Sequence, residues 1–130
     1  SLINIKEPTA KREENDYSIG IDLGTSNSLV AYYLDKNVYI IPNEEGFNLQ
    51  PSVVSLNELS QIICGHKALT SSEKITSIKR LMGKGLQDLE KLGWLELYNI
   101  DIEHSNEKSV KVKLGDNSYD PVEISSMILR

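Results

Sequence analysis

The stretch Tyr17-Ser18-Ile19-Gly20-Ile21-Asp22-Leu23-Gly24-Thr25-Ser26-Asn27-Ser28 decides the fold. Tyr17, Ile19, Ile21 and Leu23 alternate with Ser18, Gly20 and Asp22, the period of two of a strand packed mainly on one face. Gly24-Thr25-Ser26-Asn27 is turn-forming, and Ser28 to Leu34 reads as the returning strand. The expected unit is a β-hairpin with a carboxylate, a glycine and several hydroxyls at its tip. Glycine lets a backbone turn tightly and approach a ligand closely. Successive turn amides, helped by hydroxyls, can then donate to a phosphate. Asp22, at the end of the strand, stands where a carboxylate can hold a cation that offsets phosphate charge. On the residues alone a second reading stays open, in which the turn does no more than close a hairpin. The spacing is neither that of a Walker loop nor that of a dinucleotide fingerprint.

The rest of the sequence limits the function classes. The 130 residues have room for one modest domain, with 39% hydrophobic content to form a core. A formal net charge of −5 without a basic stripe argues against nucleic acid as a partner. No apolar run reaches membrane-spanning length, and no charged-then-apolar leader pattern is read ahead of the first strand. The single cysteine, Cys64, forms no internal disulfide. It lies in the apolar run Gln61 to Gly65 and reads as a buried structural thiol rather than a reactive one. His66 and His104 lie far apart and suggest no metal set.

Outward from the hairpin, residues 1–16 read as a charged, solvated arm. Asn37 to Ile41 is expected as a third strand, followed by the turn cluster Pro42 to Gly46. Ser52 to Leu56 and Gln61 to Gly65 read as extended segments joined by Asn57 to Ser60, with a short helix over His66 to Ser72. Ile75, Ile78, Leu81 and Met82 suggest a helix over Glu73 to Met82, with Lys79 beside the apolar stripe and Arg80 pointing away. Such a lysine either covers apolar surface with its stem or presents its ammonium to a neighbouring cleft. Leu86 to Leu92 adds a helical turn or two before Gly93. Trp94 to Glu103 and Ser109 to Leu114 are expected as strands, with a hairpin turn at Gly115 to Asn117. Asp120-Pro121-Val122-Glu123 is a strong helix start. A helix initiated so well is expected to run on beyond Arg130.

Several motifs carry a resemblance. Ile-Gly-Ile-Asp-Leu-Gly-Thr-Ser-Asn-Ser (19–28) resembles the first phosphate-binding hairpin of the seventy-kilodalton heat-shock chaperones, which share the nucleotide-binding fold of actin and the sugar kinases. Ser26 stands where threonine is commoner in that family, and the hydroxyl is kept. Ser77-Ile78-Lys79-Arg80-Leu81-Met82-Gly83-Lys84 is similar to the family segment whose first lysine reaches the γ-phosphate and the attacking water. Gln-Pro-Ser-Val-Val (50–54) and Pro-Val-Glu-Ile-Ser-Ser-Met-Ile-Leu (121–129) fit in the same order. The leading Leu-Ile-Asn-Ile-Lys-Glu-Pro (2–8) and Met82, where general stress chaperones of the DnaK type usually carry isoleucine, resemble the HscA-type branch that serves iron–sulfur cluster assembly.

The resemblance implies an incomplete α/β lobe of the actin-like, ribonuclease-H-like ATPase fold, α+β in its outer part. It divides the chain into an arm (1–16), the start of the inner subdomain (17–49), the outer subdomain (50–119) and the start of a returning helix (120–130). It implies ATP/ADP, Mg²⁺ and K⁺ as cofactors. Asp22 would help hold the cations, Gly24, Thr25, Ser26 and Asn27 would bind the β- and γ-phosphates, and Lys79 would place the nucleophilic water. Client peptides, a J-domain co-chaperone and an iron–sulfur scaffold protein are the implied partners of a longer protein. The bacterial cytoplasm or the mitochondrial matrix is the implied compartment. The 130-residue piece alone is expected not to hydrolyse ATP and to self-associate through its unfinished sheet. A sugar kinase shares the Asp-x-Gly-Thr hairpin but lacks the Lys-Arg-Leu-Met-Gly segment at this spacing. A non-enzymatic interaction module built on residues 50–119 is the remaining alternative.

Overall fold

The computed structural model describes residues 17–130. The arm expected over 1–16, and with it the Leu-Ile-Asn-Ile-Lys-Glu-Pro reading, lies outside the described residues. Strands β1 (Ser18–Leu23), β2 (Asn27–Leu34) and β3 (Asn37–Ile41) form an antiparallel meander. Its second turn places Asp35 and Lys36 at φ 49° and 65°, the left-handed pair that matches the twist of a two-residue hairpin. A short β4 (Gln50–Pro51) pairs with the start of β2, Asn27 opposite Pro51.

A second sheet centres on β5 (Val53–Leu56), flanked by β6 (Ile62–Cys64) and β7 (Lys74–Thr76). Strands β8 (Val112–Leu114) and β9 (Asn117–Tyr119) make a separate hairpin. Helices α1 (Leu86–Leu92) and α2 (Pro121–Ile128) complete the elements, with 3₁₀ turns at Gly65–Ala68 and Ile78–Leu81. Every ladder among the described residues is antiparallel. The architecture is mixed and strand-rich with a few short helices.

The helix ends follow from local chemistry. Asp120 accepts from the Glu123 amide at 2.8 Å while Glu123 accepts from the Asp120 amide at 2.8 Å, so two orphan donors are satisfied reciprocally. Gly93, at φ 70°, stops α1 in the left-handed conformation a helix C-terminus favours. The core draws on Val54, Ile75, Ile78, Leu81, Leu89, Val110, Val112, Leu114 and Ile124. It lies wholly beyond residue 50. The meander contributes only Leu23, partly buried, to its margin.

Four expectations are corrected. Glu73 to Met82 is not one helix: β7 is followed by Ser77 at φ 53° and then a 3₁₀ turn. Ile75, Ile78 and Leu81 are nevertheless buried: Ile75 stands opposite Val54 in the β5–β7 pair, and Ile78 and Leu81 fall on one face of the three-residue 3₁₀ repeat. The helix expected over His66 to Ser72 is a single 3₁₀ turn, begun one residue earlier. Trp94 to Glu103 is not a strand. It winds through turns and pairs with a strand through the single bridge of Ile100 to Val112, while the Asp101 carboxylate takes the Ser118 hydroxyl of β9; the strand expected over Ser109 to Leu114 is confined to β8.

The register of the meander sets its two faces. Ile19 and Ile21 stand opposite Tyr32 and Val30, not on the face of Leu29 and Tyr33. Directly opposed residues share a face, so Ile19, Ile21, Val30, Tyr32, Tyr39 and Ile41 form one side. Leu29, Ala31, Tyr33, Val38 and Ile40 form the other. Both faces are apolar, and Ile19, Ile21 and Val38 are 60%, 58% and 70% exposed.

Candidate functional site

The β1–β2 turn gathers Asp22, Gly24, Thr25, Ser26 and Asn27 at one end of the meander. Asp22 is an exposed carboxylate in the last paired positions of β1, opposite Leu29. Gly24 is needed for close approach, since a Cβ there would run into the carbonyl oxygen of Asn27. Ser26 and Asn27 are exposed and Thr25 half-buried, so the tip presents hydroxyl and amide groups outward.

What holds the tip is a pair of buried serines. Ser52 Oγ donates to the Gly24 carbonyl at 2.9 Å, and the Ser52 amide donates to the Ser26 carbonyl at 2.8 Å. Ser28 Oγ lies 2.8 Å from Ser52 Oγ. A serine hydroxyl has one hydrogen. That of Ser52 goes to the carbonyl, so Ser28 donates to Ser52. Neither serine carried weight in the sequence reading. The available signal was Ser52 within Pro51 to Ser55, a run buried throughout, where a hydroxyl must find a partner.

Lys79 is placed apart from the tip, exposed on the 3₁₀ turn Ile78–Leu81. Among the described residues no hydrogen bond or ion pair joins it to Asp22 or to Gly24–Asn27. The two regions are nonetheless linked by one strand pair. Val53 stands opposite Thr76, so Ser52, which grips the tip, enters β5 level with Ser77, from which the Lys79 turn departs.

A hollow of about 440 Å³ lies away from Asp22 and Gly24–Asn27. It lies under the meander between Ile21, Val30, Ile41, Phe47, Cys64 and Ile128, where one apolar sheet face overhangs the end of α2. Burial raises the Cys64 thiol above its usual range, partly offset by Arg130, and the thiol donates to the Met127 carbonyl at 3.3 Å. This is the environment of a structural cysteine. His66 stacks on Phe47 with ring centroids 4.0 Å apart. His104 contacts buried Asp101, whose carboxyl is held down to about 2, first by the Ser118 hydroxyl and then, against the opposing effect of burial, by His104. Among the described residues no three His, Cys, Asp or Glu side chains gather as a metal set. No helix among them is long and apolar enough to cross a membrane.

A single carboxylate suits Mg²⁺, which keeps much of its water and is bound through one or two carboxylates and a ligand's phosphates. Asp22 and the glycine-opened tip therefore fit a metal–nucleotide pair.

The family model described as "Hsp70 protein" matches residues 18–130. The chain belongs to the Hsp70 family of chaperones, and the segment falls in the nucleotide-binding domain. Among curated relatives, it is 34% identical over 137 aligned positions to a protein named chaperone protein HscA homolog from Chromobacterium violaceum, covering all of this chain and 22% of the relative. It is 35% identical over 123 positions to proteins named chaperone protein DnaK from Thermosipho melanesiensis and Thermosipho africanus, covering 90% of this chain and 17% of each relative. The chain thus spans about a fifth of the length of these relatives.

Proposed function

We propose that the β1–β2 tip is one wall of an ATP site in an actin-like lobe, and that the longer protein hydrolyses ATP to drive a client-peptide clamp. The observation that supports this best is the tip itself. Glycine, hydroxyls and Asp22 converge on a turn whose carbonyls are drawn inward by Ser52, within a segment the Hsp70 family model matches. Thr25, Ser26 and Asn27 hold the β- and γ-phosphates, and Gly24 lets the backbone reach them. Asp22 holds Mg²⁺, through its water, together with K⁺. Lys79 orients the attacking water and faces the transferring phosphoryl group. When bound, the cations neutralise charge developing on the phosphates. Positioning and charge neutralisation are what phosphoryl transfer chiefly requires. The inner (17–49) and outer (50–119) subdomains are the working division of the chain.

The HscA-type reading is supported by residues 2–8 and by Met82, and the near-equal identities to HscA-type and DnaK-type relatives leave a general stress chaperone as the second reading. In the first, a J-domain co-chaperone and an iron–sulfur scaffold protein stimulate turnover in a bacterial cytoplasm. In the second, unfolded clients at large do so. The test is phosphate release from Mg-ATP by the full-length protein with no sugar acceptor present. Turnover is expected, raised by the scaffold protein and the co-chaperone in the HscA-type case. Hydrolysis only when a sugar hydroxyl is supplied would overturn the chaperone reading in favour of a kinase.

A further inference from the structure

Resting on the phosphate-tip reading, we propose that Ser52 is a positioning residue for the phosphate chemistry. Through one side-chain and one backbone hydrogen bond it sets the peptide planes of the tip and registers them with the turn that carries Lys79.

A trans peptide is planar, with its carbonyl and its amide hydrogen pointing in opposite directions. The Gly24 carbonyl accepts from Ser52 Oγ, so the amide hydrogen of Thr25 points away from Ser52. The Ser26 carbonyl accepts from the Ser52 amide, so the amide hydrogen of Asn27 also points away. Two alternate donors of the turn are thereby aimed outward by a single residue. Ser52 is itself fixed, being 2% exposed and followed directly by Val53 and Val54 of the central strand β5. Its position is level with Ser77 across the β5–β7 pair. Ser52 thus couples two parts of the site that, among the described residues, no hydrogen bond or ion pair joins. Ser28 acts one step behind, because its hydroxyl donates to Ser52 and only orients it.

The experiment uses the full-length protein and measures kcat for ATP, Mg-ATP affinity and thermal stability for S52A, S52C, S28A, S28A/S52A and T25A. Cysteine keeps a weak donor of similar size. The expected kcat order is wild type, then S52C, then S52A, with S52A down about tenfold to a hundredfold, the cost of a displaced catalytic geometry. S28A is expected to lose less than S52A. The double variant separates positioning from folding. Removing Ser28 as well removes the hydroxyl that S52A leaves unpaired, so stability recovers toward wild type. Its kcat stays at the S52A level because the Gly24 carbonyl is still released. Recovery of kcat together with stability would overturn the proposal, as would an S52A enzyme with wild-type kcat. If T25A weakens Mg-ATP binding while S52A behaves as wild type, Ser52 positioning alone is wrong. If neither variant affects a protein that still hydrolyses ATP, the phosphate-tip reading falls, and the proposal with it.

Discussion

The Asp101 carboxylate takes Nδ1 of His104 at 2.9 Å while its buried Oδ2 also accepts the Ser118 hydroxyl. The Ser105 hydroxyl donates to the Asp101 carbonyl at 2.6 Å and accepts from the Lys111 amide at 2.8 Å. One acidic residue thus pins the 101–105 turn to the β8–β9 hairpin. Its carboxyl is lowered from 3.8 to about 2. A carboxyl whose folded value is depressed stabilises the fold fully above the unfolded value and ceases to do so as pH falls through the folded one. Thermal midpoints followed from pH 7 to 2 are expected to show this contribution lost between about pH 4 and 2. The D101N variant is expected to be less stable at pH 7 and to lack that part of the acid slope. Equal slopes in both proteins would contradict it.

Lys36 occupies a left-handed position at φ 65° in the β2–β3 turn, a conformation that costs a residue with a Cβ about 1–2 kcal/mol. Asp-Gly is the favoured pair for such a turn. Lys36→Gly is therefore expected to stabilise the meander by up to about 1 kcal/mol, measured by denaturant unfolding. A loss of stability would show that the lysine stem contributes more than the strain costs.

In the full-length protein, Lys79→Ala is expected to lower kcat by about 10²-fold or more while leaving Mg-ATP binding largely in place, since the role proposed for it is toward the transferring group and water. Single-turnover hydrolysis beside calorimetric binding checks this. An unchanged kcat would make Lys79 a surface lysine whose stem merely covers apolar area.

Residues 1–130 by themselves are expected not to hydrolyse ATP and to self-associate through 17–41. β1 and β3 are the outer strands of the meander, both sheet faces are apolar, and Asn37 to Ile41 carries neither charge nor proline to block edge pairing. Light scattering behind size exclusion should show species larger than a monomer. A strict monomer whose residues 17–41 resist hydrogen exchange as well as 52–114 would rule this out.

The hairpin and its tip were legible because strand alternation, a Gly-led turn and a returning apolar run coincide within 18 residues, Tyr17 to Leu34. The start of α2 was legible from Asp120-Pro121 and Glu123, and the end of α1 from Gly93. The register of β1 on β2 was not, because Leu29, Ala31 and Tyr33 are as apolar as Val30, Tyr32 and Leu34, and only the turn length chooses between them. Ile75, Ile78 and Leu81 announce burial at a spacing that a helix and a strand followed by a 3₁₀ turn share. Ser77 in the left-handed region decides for the latter. Trp94 to Glu103 looked extended from its apolar content, yet Asp101 bonds forward to the His104 amide at 3.3 Å and its backbone turns. Within the site the donors of the tip were visible, whereas Ser28 and Ser52, which aim them, act across 24 residues of sequence.

The most direct test of the central claim is hydrogen exchange of the full-length protein with and without Mg-ATP, read at residues 22–28. If the tip holds the phosphates, its amides become protected on nucleotide binding, most of all those of Thr25 and Asn27, whose hydrogens point away from Ser52. Saturating nucleotide that protects other segments and leaves residues 22–28 exchanging as before would contradict the account.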